Sequence, residues 1–190
     1  MQSEDIKQAL RQEYIKCGED PSYFIRKYCV IQHPIRGKIP FELYPFQVDT
    51  LKEVLNHKYN IILKARQLGI STLTAAYSLW LMTFRNDKNI LVLATKQDTA
   101  KNLVTKIRVM HSNLPGWLRQ TCIEDNKLSL RYKNGSQVKA VSSSEDSGRS
   151  EALSLLVLDE AAFIDKIDTI WAAAQQTLST GGQCIALSTP

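Results

Sequence analysis

Residues 59–84 read YNIILKARQLGISTLTAAYSLWLMTF, and that stretch changes character twice. Tyr59–Lys64 is a short apolar run rich in β-branched residues, the composition of a buried strand. Ile70–Phe84 is long enough and apolar enough for a buried helix. Between them lies a short polar loop ending at Gly69. The pattern repeats downstream. Asn89–Thr95, Ser154–Leu158 and Gln183–Leu187 are further short apolar runs, and helical spacing fills Gln97–Ser112 and Ile167–Leu178. Short apolar strands alternating with helices predict an α/β fold, with a mainly parallel sheet covered by helices on both faces.

The flanks fit around this frame. Pro45 to about His57 reads as a helix, with Phe46, Leu51, Val54 and Leu55 at helix period. In Gln97–Ser112 the inward set is Leu103, Ile107 and Met110. Asn134-Gly135, between Leu128–Tyr132 and Gln137–Val141, predicts a hairpin. Residues 1–40 read as a helical lead-in rather than a separate domain, with 41–190 as the core. Ser3 and the acids after it open one helix, Pro21 opens a second carrying Tyr23, Phe24 and Tyr28, and His33–Pro40 reads as a loop. Ser142–Ser150 is a polar loop.

Composition excludes several classes. With 44% apolar and 23% charged residues in 190, the chain has the material of a globular core and is neither disordered nor collagen-like. Cys17, Cys29, Cys122 and Cys184 lack metal-ligand spacing and read as reduced thiols, and His33, His57 and His111 add no cluster. No signal peptide is expected at the polar N-terminus, and the most apolar stretch, Thr72–Phe84, is too short to span a bilayer. The net charge of +5 suits an anionic partner and equally suits a mildly basic protein with none.

The loop is where chemistry concentrates. A phosphate-binding loop has the form G-x-x-x-x-G-K-[ST]. Here Gly69 and Ser71 fall on the second glycine and the hydroxyl, while Ile70 holds the lysine slot and Lys64 the first-glycine slot. Backbone N–H groups opening the next helix would still point at an anion, and Ser71 would still ligate Mg²⁺. Lys64 from the opposite lip, with Arg66 as second candidate, would supply the cation, so all of Lys64, Ala65, Arg66, Gln67, Leu68, Gly69, Ile70, Ser71 and Thr72 are candidate phosphate-site residues. A plain strand-to-helix turn with solvated cations is the alternative.

Four further pieces bear on that choice. Leu155-Leu156-Val157-Leu158-Asp159-Glu160 ends an apolar strand in two acids, one to hold Mg²⁺ and one to polarise a water. Tyr44-Pro45-Phe46-Gln47 offers an adenine-matching amide at Gln47 and a stacking ring at Tyr44, or simply a helix start. Ser188-Thr189 ends a strand in two hydroxyls suited to sensing a γ-phosphate, or is only a strand terminus. Arg149 sits in a loop from which an arginine finger would reach a neighbouring subunit, or it is a solvated arginine.

In this order, YPFQ (44–47), KARQLGIST (64–72), LLVLDEAAF (155–163) and STP (188–190) resemble the ATPase domain of the large terminase subunit of tailed double-stranded DNA bacteriophages. The resemblance covers about Phe41 to Pro190 and implies a RecA-like P-loop NTPase fold and an ATPase motor that packages double-stranded DNA into a procapsid. It implies ATP and Mg²⁺ as cofactors. Lys64, Arg66, Gly69 and Ser71 would lie on phosphate and metal, Asp159 on Mg²⁺, Gln47 on adenine. Glu160 would be the base, Arg149 the trans-acting finger and Ser188-Thr189 the coupling motif. Implied partners are other copies in a ring, the portal and the small terminase subunit, in the host-cell cytoplasm and away from membranes. Family members continue into a nuclease domain; a chain stopping at Pro190 is expected to be an ATPase fragment that does not cleave DNA. A helicase-like ATPase, and a nucleotide-responsive interaction module without turnover, are the competing readings.

Overall fold

Apolar runs that bury both faces take the middle of a sheet, and the two richest in leucine and valine do so here. The computed structural model describes residues 2–142 and 152–190. The chain runs α1 (Gln2–Glu19), α2 (Pro21–Tyr28), β1 (Val30–His33), β2 (Gly37–Pro40), α3 (Pro45–Asn56), β3 (Tyr59–Leu63), α4 (Ile70–Phe84) and β4 (Asn89–Ala94). It continues with α5 (Gln97–Ser112), β5 (Cys122–Asp125), β6 (Ser129–Tyr132), β7 (Gln137–Ser142), β8 (Leu155–Asp159), a 3-10 turn (Ala161–Phe163), α6 (Ile167–Leu178) and β9 (Gln183–Ser188). Seven strands form one sheet in the order β3-β9-β8-β4-β7-β6-β5. The first five are parallel, and β6 and β5 are antiparallel additions at one side.

The alternation of side chains along β4 and β8 divides the core in two. Ile90, Val92, Leu155 and Val157 pack toward α4 and α5, while Leu91, Leu93, Leu156 and Leu158 pack toward Ile170, Ala174 and Leu178 of α6. Helices therefore cover both faces, the arrangement expected for a parallel sheet. Cys17, Phe24 and Ile25 belong to the same core as Leu79 and Met82, so α1 and α2 pack directly on α4. The Trp80 indole N–H donates to the Cys17 carbonyl at 2.8 Å and ties α4 to α1.

Several expectations need correction. Residues expected to form a loop before Pro40 instead make the antiparallel hairpin β1–β2, with Ile31 opposite Ile39. The sequence showed no strand at β5, which is half acidic. β3 is not buried: among the described residues it is the edge of the sheet, paired with β9 alone, and Ile61 and Leu63 are 92% and 73% exposed. Apolar composition marks a strand but does not tell an edge from a centre. On α3, Leu51 and Val54 are buried, whereas Phe46 and Leu55 are exposed. The Asn134-Gly135 hairpin forms as expected, and all four cysteines are free thiols.

One carboxylate fastens the N-terminal helices together. Glu13 accepts hydrogen bonds from Lys27 Nζ, Tyr23 Oη and Tyr28 Oη, each at 2.8 Å. The bonds from Lys27 and Tyr28 hold its pKa down at about 2, against the opposing effect of burial. A carboxyl depressed on folding stabilises the fold above its unfolded value near 4.5 and loses that contribution as pH falls toward about 2. The urea midpoint should therefore drop between about pH 5 and pH 2. The gap between wild type and Glu13→Gln should close over the same range, and a gap independent of pH would refute the assignment.

Candidate functional site

Parallel register brings the separated sequence pieces to one edge. Leu63 pairs with Ser188 and Asp159 with Leu187, so the carboxyl ends of β3, β9 and β8 lie side by side. Ligands of open α/β sheets bind outside such strand ends. Lys64, one residue past β3, places its ammonium 2.9 Å from Glu160 Oε1. The other carboxylate oxygen, Glu160 Oε2, accepts from the Thr189 backbone N–H at 3.3 Å and its hydroxyl at 3.2 Å. Ser71, in the first turn of α4, donates its hydroxyl to Asp159 Oδ1 at 3.3 Å. Residues some ninety positions apart thus converge beside the loop.

The two acids stand in opposite electrostatic settings. Burial pushes the Asp159 carboxyl up, with Lys64 opposing. Burial also acts to raise Glu160, but the Lys64 hydrogen bond and the two Thr189 donors win, and the carboxyl is held below its usual range. Glu160 also has φ +56°, a left-handed conformation unusual for a residue with a side chain and one that clusters at functional sites. Gln67, inside the loop, has φ +64°.

Gly69 closes the loop at φ +71° as the N-cap of α4, and among the described residues no side-chain hydrogen bond caps the helix there. A Cβ at this position would also lie 2.7 Å from Gln47 Nε2. Gln47 is 1% exposed. Its Nε2 donates to the Leu68 carbonyl at 2.9 Å and its Oε1 accepts from the Tyr44 N–H at 3.1 Å. The amide that reads as an adenine contact is therefore a brace between α3 and the loop in this structure. Tyr44 stacks on Phe46, ring centroids 5.7 Å apart.

Two cavities meet at the loop. The smaller, about 280 Å³, is lined by Lys64, Ala65, Gln67–Thr72 and Lys106 of α5. The larger, a cleft of about 970 Å³, runs from Gln67, Leu68, Gly69 and Thr72 past Tyr44 and Gln47 to the β1–β2 hairpin and α5. It has the size of a small-molecule site.

The family described as terminase large subunit, T4likevirus-type, N-terminal, matches residues 61–190, which hold the loop, both acids and the strand-end hydroxyls. The chain belongs to this family. Among solved structures, the large terminase of bacteriophage HK97 superposes with a TM-score of 0.70 at 22% identity, over 90% of this chain and 37% of that one. The ATPase domain of the large terminase of Thermus phage P74-26 gives 0.60 at 21% identity, over 79% and 66%. A large terminase from a thermophilic bacteriophage, in complex with ATP-γ-S, gives 0.57 at 14%, over 77% and 38%. These likenesses show the fold, an α/β domain with a mainly parallel sheet like that of terminase ATPase domains, and a RecA-like P-loop fold is consistent with it. The chain spans little more than a third of the HK97 protein.

Within this terminase domain, the structure gathers Lys64, Ser71, Asp159, Glu160 and Thr189, with Ser188 accepting from the Ala162 N–H at 3.2 Å. Arg66 is exposed and lines neither cavity. Arg149 lies outside the described residues. Lys106 escaped the sequence reading. Burial pushes its ammonium below the ordinary lysine value, with Asp159 opposing and Lys64 reinforcing. Among the described residues no cluster of three His, Cys, Asp or Glu side chains could hold a metal, and no helix is long and apolar enough to cross a membrane.

Proposed function

We propose that this chain is the ATP-hydrolysing motor domain of a DNA-packaging terminase, using Mg²⁺-ATP at the loop of residues 64–72. The convergence of Lys64, Ser71, Asp159 and Glu160 on that loop is the observation that carries this reading. Ser71 Oγ and Asp159 Oδ1 are 3.3 Å apart. Adjacent oxygens of an octahedral Mg²⁺ lie roughly 3 Å apart at ~2.1 Å bond lengths, so the pair fits that ion. Mg²⁺ bound there would neutralise charge developing on the phosphates.

The protein's own groups have distinct tasks. The uncapped N–H groups at the start of α4 receive phosphate oxygens. The γ-phosphate competes with Glu160 for the Lys64 ammonium. Losing that ion pair frees the carboxylate and raises its pKa toward the ordinary value, making it a better base. Glu160 then orients a water in line with the γ-phosphorus and takes its proton, while the bond to the β,γ-bridging oxygen breaks and ADP departs with that oxygen. Thr189 holds the other carboxylate oxygen, so the state of the base is felt at the end of β9, which supports a coupling role for Ser188-Thr189.

Double-stranded DNA as the cargo, assembly into a ring with Arg149 as trans finger, contact with portal and small subunit, and a place in the host-cell cytoplasm belong to the same proposal and rest on family membership. Phosphate release from Mg²⁺-ATP, measured with and without linear duplex DNA and over a range of protein concentrations, tests it. Release that rises with DNA or with self-association is expected. Nucleotide binding without release under every condition would instead support the nucleotide-responsive module.

A further inference from the structure

The loop lacks the lysine that ordinarily follows its second glycine, because Ile70 holds that slot and is itself buried in the core. Lys64 answers from one lip, where it already pairs with Glu160. Helix α5 borders the smaller cavity, which Lys64 also lines. Among the described residues, its Lys106 is the one lining residue of that cavity that comes from outside residues 64–72. The same side chain also lines the large cleft, together with Gln67, Leu68, Gly69 and Thr72, so it stands at the seam between the two. It is partly buried, and among the described residues it has no hydrogen bond and no ion pair. A partly buried ammonium with no hydrogen bond or ion pair of its own costs free energy, and a charge held in a cavity mouth this way is stabilised by an anion arriving there.

We infer that Lys106 is a second phosphate-binding cation of this site, meeting the polyphosphate on the side that leads to the nucleoside, away from Glu160, and substituting for the lysine missing after Gly69. The inference rests on reading the loop as a nucleoside-triphosphate site. The seam decides which phosphates are involved. Lys64 stands at the Glu160 end, where the terminal phosphate is attacked. Lys106 stands where the loop cavity opens into the cleft large enough for a nucleoside, which is the end of the chain that ADP and ATP share.

The test is equilibrium binding of fluorescent ADP and ATP-γ-S with Mg²⁺ to wild type, Lys106→Met and Lys106→Arg, alongside melting of the nucleotide-free proteins. Lys106→Met should weaken both nucleotides by a similar factor, about tenfold or more, as expected for losing a charge-assisted contact. Lys106→Arg should recover most of that loss. Melting without nucleotide should change little, because the ammonium makes no hydrogen bond or ion pair and loses only the longer-range attraction of Asp159, against which stands the relief of its burial. Unchanged affinities in Lys106→Met overturn the inference while leaving the nucleotide site standing, since wild type binds. A loss confined to ATP-γ-S moves the ammonium to the γ-phosphate and overturns the placement. Early melting that Lys106→Arg does not rescue makes the residue structural and also overturns it. If wild type binds neither nucleotide, the reading of the loop itself falls.

Discussion

Glu160→Gln should retain ADP and ATP-γ-S binding to within a few-fold and lose about 10²–10⁴-fold in phosphate release, the range supplied by a positioned general base. The substitution is close to isosteric. Gln still offers an oxygen to the Thr189 hydroxyl and N–H, which now reach Glu160 Oε2. It keeps the left-handed backbone at φ +56° without added strain. What disappears is the negative charge, and with it both the proton acceptor and the partner of Lys64. Freed of that partner, Lys64 is available to the γ-phosphate at no cost, so ATP-γ-S affinity should hold or rise while turnover collapses. Single-turnover phosphate release, alongside binding by fluorescence, separates the two. Undiminished release in the variant would remove Glu160 from the mechanism.

Much of this site was legible because its parts are short and local. A glycine two residues before a serine, and two acids closing an apolar run, show in the letters. Parallel pairing then does the rest, since the ends of β3, β8 and β9 must align once the strands are neighbours. What escaped depends on tertiary neighbours. Lys106 sits beside the inward set Leu103, Ile107 and Met110, where a charge ordinarily marks the rim of an amphipathic helix. Only the packing of α5 against the loop turns it into a lining residue. Gln47 carried a second readable signal: with Pro45 opening the helix, it occupies the third helical position, from which a Gln reaches back to the N-cap backbone. Its second bond, to the Leu68 carbonyl, has no sequence signature. β1 and β2 are four residues each and bounded by proline, too short for periodicity to decide.

Lys64→Ala should lower ATP-γ-S affinity about 10–100-fold and phosphate release by about 10² or more, as for other single charge-stabilising groups. Arg66→Ala should stay near wild type in both, because Arg66 is exposed and faces neither cavity. The opposite ranking would transfer the cation role to Arg66. A double-mutant cycle distinguishes direct phosphate contact from damage to the site. In the nucleotide-free protein Lys64 and Glu160 are one unit, with Lys64's side chain 9% exposed and Glu160's 29%. Removing either leaves a partly buried charge unpaired, whereas removing both leaves none, so urea stabilities of the two single variants and the double variant should be clearly non-additive. Nucleotide affinity should behave differently. Once Glu160 is neutral, Lys64 serves only phosphate, so Lys64→Ala should cost more affinity on the Glu160→Gln background than on wild type. A smaller cost there would mean that the ammonium's task is to hold the glutamate rather than the γ-phosphate.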